Sequence, residues 1–152
     1  MQPGIGARLP SVALTGLMGE APTATDALLG TPLIINFWAT WCGPCRDEMP
    51  SLERLSQRLA GHGVRVIGVT VDDDLNLAAE FVRTYRLSFP NYADGDKKNF
   101  QSLLRVKLLP ETVLVTAEGV IAARVAGARD WNSAEGDRLL EGALNLRPAG
   151  KR

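Results

Sequence analysis

The stretch of sequence that decides the fold runs from residue 33 to residue 45 and reads Leu33-Ile34-Ile35-Asn36-Phe37-Trp38-Ala39-Thr40-Trp41-Cys42-Gly43-Pro44-Cys45. Its first six residues are mostly apolar and rich in β-branched and aromatic side chains, which is typical of a strand buried on both faces. Asn36 is the one polar residue in this run. The two cysteines that follow are the only cysteines among 152 residues. A buried strand that leads directly into a local cysteine pair is therefore the starting point for interpreting the chain.

A helix is predicted to follow, from Pro44 to Leu59. Apolar residues recur along it at the spacing of one helix face: Met49, Leu52, Leu55 and Leu59. Its charged residues are expected to face water: Asp47, Glu48, Glu53, Arg54 and Arg58. The run from Val64 to Val71 predicts the next strand. Strand, helix and strand joined by short links form a βαβ unit, so the two strands should be parallel.

The rest of the chain continues the alternation of strands and helices. The patterns predict a helix capped within Asp72-Asp73-Asp74, a short strand from Phe89 to Ala93, a helix around Phe100, a hairpin of Thr112–Val115 with Val120–Val125, and a last helix capped by Ser133. Together these elements predict an α/β protein with a mixed central sheet in a three-layer α/β/α sandwich. We expect one domain over residues 1–152, with an N-terminal extension at 1–32 and a flexible tail at 147–152.

Composition narrows the class of function. Seventeen basic residues balance seventeen acidic ones, and non-specific nucleic-acid binding needs a basic excess, so no nucleic-acid partner is expected. The longest uncharged stretch is interrupted by Gly30, Pro32 and Asn36, which argues against a membrane span. No signal peptide is visible; if the natural protein is exported or tethered, that N-terminal signal or membrane anchor has been removed.

The cysteine pair is interpreted from its place at the start of a helix. A thiol there feels the positive end of the helix dipole and nearby free N–H groups, which favour its thiolate. Cys42 is expected to be the more exposed of the two and is therefore predicted to be the nucleophile. Cys45, one turn further on, is predicted to resolve the mixed disulfide, because residues three apart share a helix face.

A purely structural disulfide is the competing interpretation of this pair. Closing a loop of about four residues stabilises a fold by only about 2 kcal/mol before strain. A structural zinc site usually needs four ligands, and two cysteines do not supply them. Redox chemistry is therefore favoured, and no metal site is expected.

The stretch from Phe37 to Cys45, followed by Pro50, resembles the thioredoxin superfamily. The sequence from Asn36 to Cys42 is most similar to the TlpA/ResA/DsbE-type extracytoplasmic branch of this superfamily. Three further segments resemble that branch: Leu109-Pro110-Glu111-Thr112, as a cis-proline loop; the long stretch between Asp72 and Pro110, as a central αβ insertion; and Gly127-Ala128-Arg129-Asp130-Trp131 before the last helix.

The resemblance implies a substrate-binding surface around the cysteines. A cis bond before Pro110 would bring the backbone of Leu109 beside Cys42, where it could pair with an extended substrate strand. The other substrate-binding residues expected from the resemblance flank or separate the cysteines: Trp41, Gly43 and Pro44.

The resemblance also raises the question of which group moves protons to and from the resolving thiol. Thioredoxins carry a buried Asp at the position of Asn36, and Asn cannot accept a proton in that way. Asp73, in the insertion, and Glu111, after the proline, are the acidic candidates. Asn36 itself is expected to be a satisfied buried polar group that orients the motif.

The implied function is thiol–disulfide oxidoreduction, most directly the reduction of disulfides in extracytoplasmic proteins during cytochrome c maturation or copper-site assembly. No cofactor is needed. The implied partners are disulfide-bearing protein substrates and an upstream membrane thiol reductase, and the implied location is periplasmic or otherwise extracytoplasmic.

Two alternatives remain open at this point. A peroxide reductase of the same fold would want a threonine one turn before the nucleophile and an arginine near it, and Thr40 and Arg46 are wrongly spaced for those roles. A non-enzymatic copper(I) metallochaperone would use the two soft thiolates, with a histidine nearby. His62, the only histidine, lies in a Gly-His-Gly loop after the helix and is expected at the surface.

Overall fold

The computed structural model describes residues 4–94 and 99–146 as seven strands and four α-helices. The strands are β1 (Ala13–Gly16), β2 (Thr23–Ala24), β3 (Leu33–Trp38), β4 (Arg65–Thr70), β5 (Asn91–Ala93), β6 (Glu111–Val115) and β7 (Ile121–Ala126). The helices are α1 (Gly43–Leu59), α2 (Leu75–Thr84), α3 (Asn99–Leu104) and α4 (Ala134–Leu144), with a 3-10 turn at Thr25–Leu28. The helices and strands predicted from the sequence are confirmed, with shifts of a few residues at their ends.

All seven strands form one mixed sheet in the order β2-β1-β5-β4-β3-β6-β7. Strands β3, β4 and β5 run parallel, which confirms the predicted βαβ unit, and β6 and β7 complete the sheet as an antiparallel hairpin beside β3. All six residues of β3 are buried. The strand that precedes the cysteines therefore lies inside the sheet, where its apolar run is covered on both faces.

The helices cover both faces of the sheet unequally. The connections from β3 to β4 and from β4 to β5 step in the same direction, so right-handed crossovers place α1 and α2 on one face. An ion pair between Arg58 of α1 and Asp137 of α4 puts α4 on that face as well. Helix α3 lies on the opposite face, where the ring of Phe100 is 5.3 Å from that of Phe37. The three-layer α/β/α arrangement is thus confirmed.

A close contact at the end of β3 fixes the strand that leads to the cysteines. The indole Nε1 of Trp38 donates to Oδ1 of Asn91 on β5 at 3.0 Å, across Gly68 of β4. A Cβ on Gly68 would stand 2.0 Å from that Asn91 oxygen. Because only glycine leaves room for the bond, Gly68 is required where the backbone of β4 passes beneath it.

The described part of the predicted N-terminal extension is packed into the domain. Strand β1 pairs with β5 at one edge of the sheet, and Arg8 forms an isolated bridge with Val120 near the other edge. Leu9, Leu14 and Leu28 are buried in the core. The predicted tail at 147–152 lies outside the described residues. No helix among the described residues has both the length and the apolar character that crossing a membrane requires.

Candidate active site

The two cysteines form a disulfide at the amino end of α1, with their Cα atoms 5.3 Å apart. Cys42 is the N-cap of the helix, and its Sγ accepts a hydrogen bond from the backbone N–H of Cys45 at 3.2 Å. Gly43 and Pro44 form the first turn. Pro44 has no N–H that would be left unpaired there, and α1 has no acidic residue in its first turn. The positive end of the helix dipole therefore acts on the sulfur of Cys42 without a negatively charged side chain in that turn.

The two sulfurs differ in their access to solvent. Cys42 is 6% exposed, whereas Cys45 is 0% exposed. Cys42 lines a surface depression of about 530 Å³ together with Trp41, Pro44, Val71, Asp73, Gln101, Lys107, Leu108 and Leu109. We call this depression the thiol groove. A reagent in the thiol groove therefore meets Cys42 before Cys45.

Three of the five predicted substrate-binding residues line this groove, Trp41, Pro44 and Leu109, whereas Gly43 and Pro110 are adjacent to lining residues in the chain. Trp41 is 68% exposed. The peptide bond between Leu109 and Pro110 is cis, as expected, and the carbonyl of Pro110 accepts a hydrogen bond from the N–H of Gly127 at 2.8 Å. The structure thus brings the loop before β6 to the same depression as Cys42.

A buried polar network lies beneath the cysteines and corrects one prediction from the sequence. The sequence pattern predicts that Glu48 faces water, but the residue is only 2% exposed. Its Oε1 accepts from Nδ2 of Asn36 at 2.9 Å, and its Oε2 accepts from the backbone N–H of Arg129 at 2.9 Å and from Nε1 of Trp131 at 3.0 Å. The side chain is turned inward because three donors converge on its carboxylate.

Asn36 joins this network from the central strand. Its Nδ2 also donates to Oγ1 of Thr112 at 3.1 Å, while its Oδ1 is buried and finds no hydrogen-bond partner among the described residues. The expectation of a satisfied Asn36 is therefore correct for the amide nitrogen and wrong for the amide oxygen.

Burial raises the pKa of Glu48 above its usual range. The bonds from the Arg129 N–H, Asn36 and Trp131 act in the opposite direction, as does the positive charge of Arg129, but desolvation is the larger effect. Glu48 follows Cys45 by three residues on α1, so the two side chains lie on one helix face about one turn apart. A carboxyl that is easily protonated thus follows the more buried cysteine by about one turn on the same helix face.

Glu111 occupies a different environment. It is 7% exposed and forms an ion pair with Arg124 of β7. In the strand register Glu111 lies opposite Phe37, whereas Thr112 lies opposite Asn36. Because side chains alternate along a strand, Glu111 points to the sheet face opposite the Asn36–Glu48 network.

The three consecutive aspartates have separate positions. Asp74 caps α2, and its side chain accepts from the N–H groups of Asn76 and Leu77. Asp72 is buried and accepts from the N–H and the hydroxyl of Thr40 at 2.9 and 2.7 Å. Asp73 is exposed and lines the thiol groove. Of the three, only Asp73 reaches the groove beside Cys42.

Asn36 is among the candidate residues predicted from the sequence, whereas Glu48 is not, because residue type alone places it with the charged residues of α1 that face water. Spacing held the relevant signal: Glu48 lies three residues after Cys45 and four before Leu52, which is the buried face. The contact with Trp131, 83 positions along the chain, had no local signal.

Within residues 4–94 and 99–146, no group of three or more His, Cys, Asp or Glu side chains could hold a metal ion.

Comparison with known proteins agrees with this geometry. The AhpC/TSA family model matches residues 5–124. The thiol-disulfide oxidoreductase ResA of Bacillus cereus is 31% identical over 132 residues, which cover 87% of this chain and 75% of ResA. The thioredoxin-like protein YneN of Bacillus subtilis is 35% identical over 119 residues, or 76% of this chain and 68% of YneN.

Solved structures give the same fold. A structure described as the thiol:disulfide interchange protein DsbE of Chlorobium tepidum superimposes with a TM-score of 0.82 at 24% identity, covering 91% of this chain and 96% of that one. A secreted disulfide oxidoreductase of Mycobacterium tuberculosis, homologous to E. coli DsbE, gives a TM-score of 0.68 at 28% identity and covers 78% and 88% of the two chains. The chain therefore belongs to the AhpC/TSA family, as a thioredoxin-fold thiol-disulfide oxidoreductase of the ResA and DsbE type.

Proposed function

We propose that this protein reduces disulfide bonds in extracytoplasmic proteins by cycling Cys42 and Cys45 between dithiol and disulfide. The observation that carries the proposal is the unequal placement of the two sulfurs. One caps a helix and borders an open groove, and the other is fully buried one turn away. A purely structural crosslink would not need that asymmetry.

In the first step, the Cys42 thiolate attacks one sulfur of the substrate disulfide. A bond forms between Cys42 and that sulfur, the substrate S–S bond breaks, and the other substrate sulfur leaves as a thiolate that takes a proton from solvent. The Cys45 N–H, now 3.2 Å from Sγ of Cys42, and the helix dipole stabilise the attacking thiolate.

In the second step, Cys45 resolves the mixed disulfide. Its thiol is buried, and burial disfavours the thiolate, so a base is needed. Glu48 is the group we assign to that role, since it lies on the same helix face and its carboxyl is already poised for protonation. The Cys45 thiolate attacks Sγ of Cys42, the bond to the substrate breaks, and the second substrate sulfur leaves as a thiolate. The substrate gains two electrons and the protein pair loses them.

The thiol groove fits an extended polypeptide. Leu109, before the cis-proline, offers backbone N–H and C=O groups to a substrate strand. Trp41 and Leu108, 68% and 71% exposed, offer apolar contacts on the rim. We propose Trp41, Gly43, Pro44, Leu109 and Pro110 as the substrate-binding set, and Asp73 as a rim residue that contributes charge.

The cellular role we propose is cytochrome c maturation or copper-site assembly, with an upstream membrane thiol reductase returning electrons to the pair. ResA and DsbE relatives, one of them a secreted protein, support a periplasmic or extracytoplasmic location. A natural N-terminal signal or membrane anchor would be consistent with that location.

The alternatives receive less support. A peroxide reductase would need Thr40 and Arg46 at the sulfur, but the Thr40 hydroxyl donates to Asp72 at 2.7 Å and Arg46 donates to the Thr40 carbonyl at 2.9 Å. A copper(I) metallochaperone would want a histidine near the thiols. His62 instead lies exposed beyond the far end of α1.

The test is reduction of a protein disulfide by the pre-reduced protein, in single turnover. Cys42→Ser should abolish reduction, and Cys45→Ser should accumulate a mixed disulfide on Cys42 that is visible as a mass adduct. Full activity in both variants would overturn the proposal. Equilibration of the cysteine pair with glutathione then decides the direction of electron flow, because a reductase requires a reduction potential below that of the glutathione pool.

A further inference from the structure

Glu48 is almost fully buried, but it borders a depression that is separate from the thiol groove. It lines a depression of about 440 Å³ together with Asp47, Pro50, Ser51, Arg54, Ala128, Arg129 and Asp130. We call this depression the carboxylate groove. It shares no lining residue with the thiol groove. A substrate that fills the thiol groove therefore leaves the opening toward Glu48 uncovered.

Arg129 is held at the carboxylate groove by its backbone. Its N–H donates to Glu48, and its guanidinium Nη1 donates to the carbonyl of Ala128 at 3.1 Å. Its Nε lies 3.9 Å from Oε1 of Glu135, yet it is buried and finds no hydrogen-bond partner within the described part of the chain. The Arg129 side chain thus brings a partly exposed positive charge to the groove that Glu48 also lines, while its bond to Glu48 is made by the backbone N–H.

We propose that Glu48 exchanges its proton with solvent through the carboxylate groove, and that Arg129 is the positioning residue that keeps Glu48 in its carboxylate form between turnovers. This proposal rests on the proposed function. It adds the path by which the proton of the resolving step leaves Glu48 and the residue that controls the protonation of Glu48. During resolution the Cys45 thiol gives its proton to Glu48, and Glu48 then releases that proton into the carboxylate groove while the substrate still occupies the thiol groove.

Other charges around Glu48 do not replace Arg129. On α1, Asp47 and Arg54 line the same groove, and Cys45 lies one turn back. In the loop after β7, Asp130 lines the groove, and on α4 Glu135 faces Arg129. Strands β3 and β6 present only the neutral Asn36 and Thr112. Arg129 is the one cation among these groups whose charge also lowers the pKa of Glu48.

The test compares three variants in the single-turnover assay across pH. Arg129→Gln removes the charge and keeps the backbone N–H. Arg129→Lys keeps the charge. Arg54→Gln is the matched control, because it removes a guanidinium from the same groove on an exposed position of α1. Thermal unfolding of each variant shows that the fold is intact.

Arg129→Gln should move the midpoint of the pH profile for resolution upward, slowing resolution about threefold to tenfold at pH values below the midpoint. The pH profiles of Arg129→Lys and Arg54→Gln should have midpoints close to that of the unchanged protein. Equal profiles for all four proteins, or an equal shift in Arg54→Gln, would overturn the assignment of Arg129. Loss of reduction in the unchanged protein itself would instead refute the proposed function.

A second measurement does not depend on activity. The Glu48 carboxyl can be titrated by NMR in the Cys45→Ser variant with a peptide held on Cys42 as a mixed disulfide. Titration that persists with the thiol groove filled supports the separate path. Titration that disappears when the peptide is attached would show that the proton leaves past Cys42, and would overturn that path.

Discussion

Two buried glutamates on opposite faces of the same sheet have opposite surroundings. Glu48, 2% exposed, accepts hydrogen bonds from an amide, an indole and a backbone N–H, all of them neutral donors. Glu111, 7% exposed, forms an ion pair with Arg124, whose side chain is also only 7% exposed. The two carboxylates are nearly equal in burial and differ in the charge of their partners.

The difference shows that burial alone does not make a carboxyl a proton carrier. The donors and the charge of Arg129 offset only part of the desolvation cost of Glu48, so its protonated form becomes accessible. A guanidinium in contact compensates the charge of Glu111 directly, and that carboxylate is best understood as part of a buried ion pair. We therefore assign proton transfer to Glu48 and a structural role to Glu111.

The largest expected effect comes from breaking the ion pair on the Glu111 side. Arg124→Met leaves a buried carboxylate without its cation and should lower the free energy of unfolding by about 3–5 kcal/mol. Urea denaturation measures the loss. The double variant Glu111→Gln/Arg124→Met should lose clearly less than Arg124→Met alone, and a double variant that is equally or more unstable would contradict the interpretation.

The next largest effect is expected on catalysis, and it distinguishes the role of Glu48 from that of Glu111. Glu48→Gln should slow the resolving step about a hundredfold, because the base is lost, and should flatten its pH dependence. Glu111→Gln is the matched control and should leave the shape of the pH profile unchanged. Single-turnover release of reduced substrate from pH 5 to pH 9 checks both. A flattened profile in Glu111→Gln would reverse the assignment.

A smaller effect is expected from placing a second carboxyl in the network. Asn36→Asp would bring two acidic groups together where Nδ2 of Asn36 and Oε1 of Glu48 are now 2.9 Å apart. Like charges at that distance share a proton, so the midpoint of the pH profile for release should move upward by about one unit. An unchanged pH profile in this variant would argue against proton transfer at this layer.

The smallest effect is on folding stability. The pKa of Glu48 is raised in the folded state above its ordinary value of 4.5. Its contribution to stability is fully present below that value and is lost as pH rises through the folded pKa, at about 1.4 kcal/mol for each unit of difference. Glu48→Gln lacks this loss, so its stability relative to the unchanged protein should improve between pH 4 and pH 8 in urea denaturation. Parallel stability curves would show that Glu48 is not penalised by burial.

The sequence predicted the cysteine site better than the network beneath it. The buried run of β3 and the pair at Cys42 and Cys45 carry local signals of residue type and spacing, and the cis bond before Pro110 is implied by the family resemblance. The inward turn of Glu48 does not carry such a signal, because its donors come from Asn36 on β3 and from Arg129 and Trp131 in the loop after β7. Residue type alone predicts that Glu48 faces water, and only the convergence of those donors offsets part of the cost of its burial.

By itself the sequence determined the order of elements, the mixed sheet and the place of the reactive pair, because these follow from hydrophobic periodicity and from short-range chemistry along the chain. Only the tertiary structure decided which acidic side chain accompanies Cys45, which one is paired with a cation, and on which side each opens to solvent. Those properties depend on groups distant in sequence meeting at distances of about 3 Å, and a pattern along one chain does not specify such meetings.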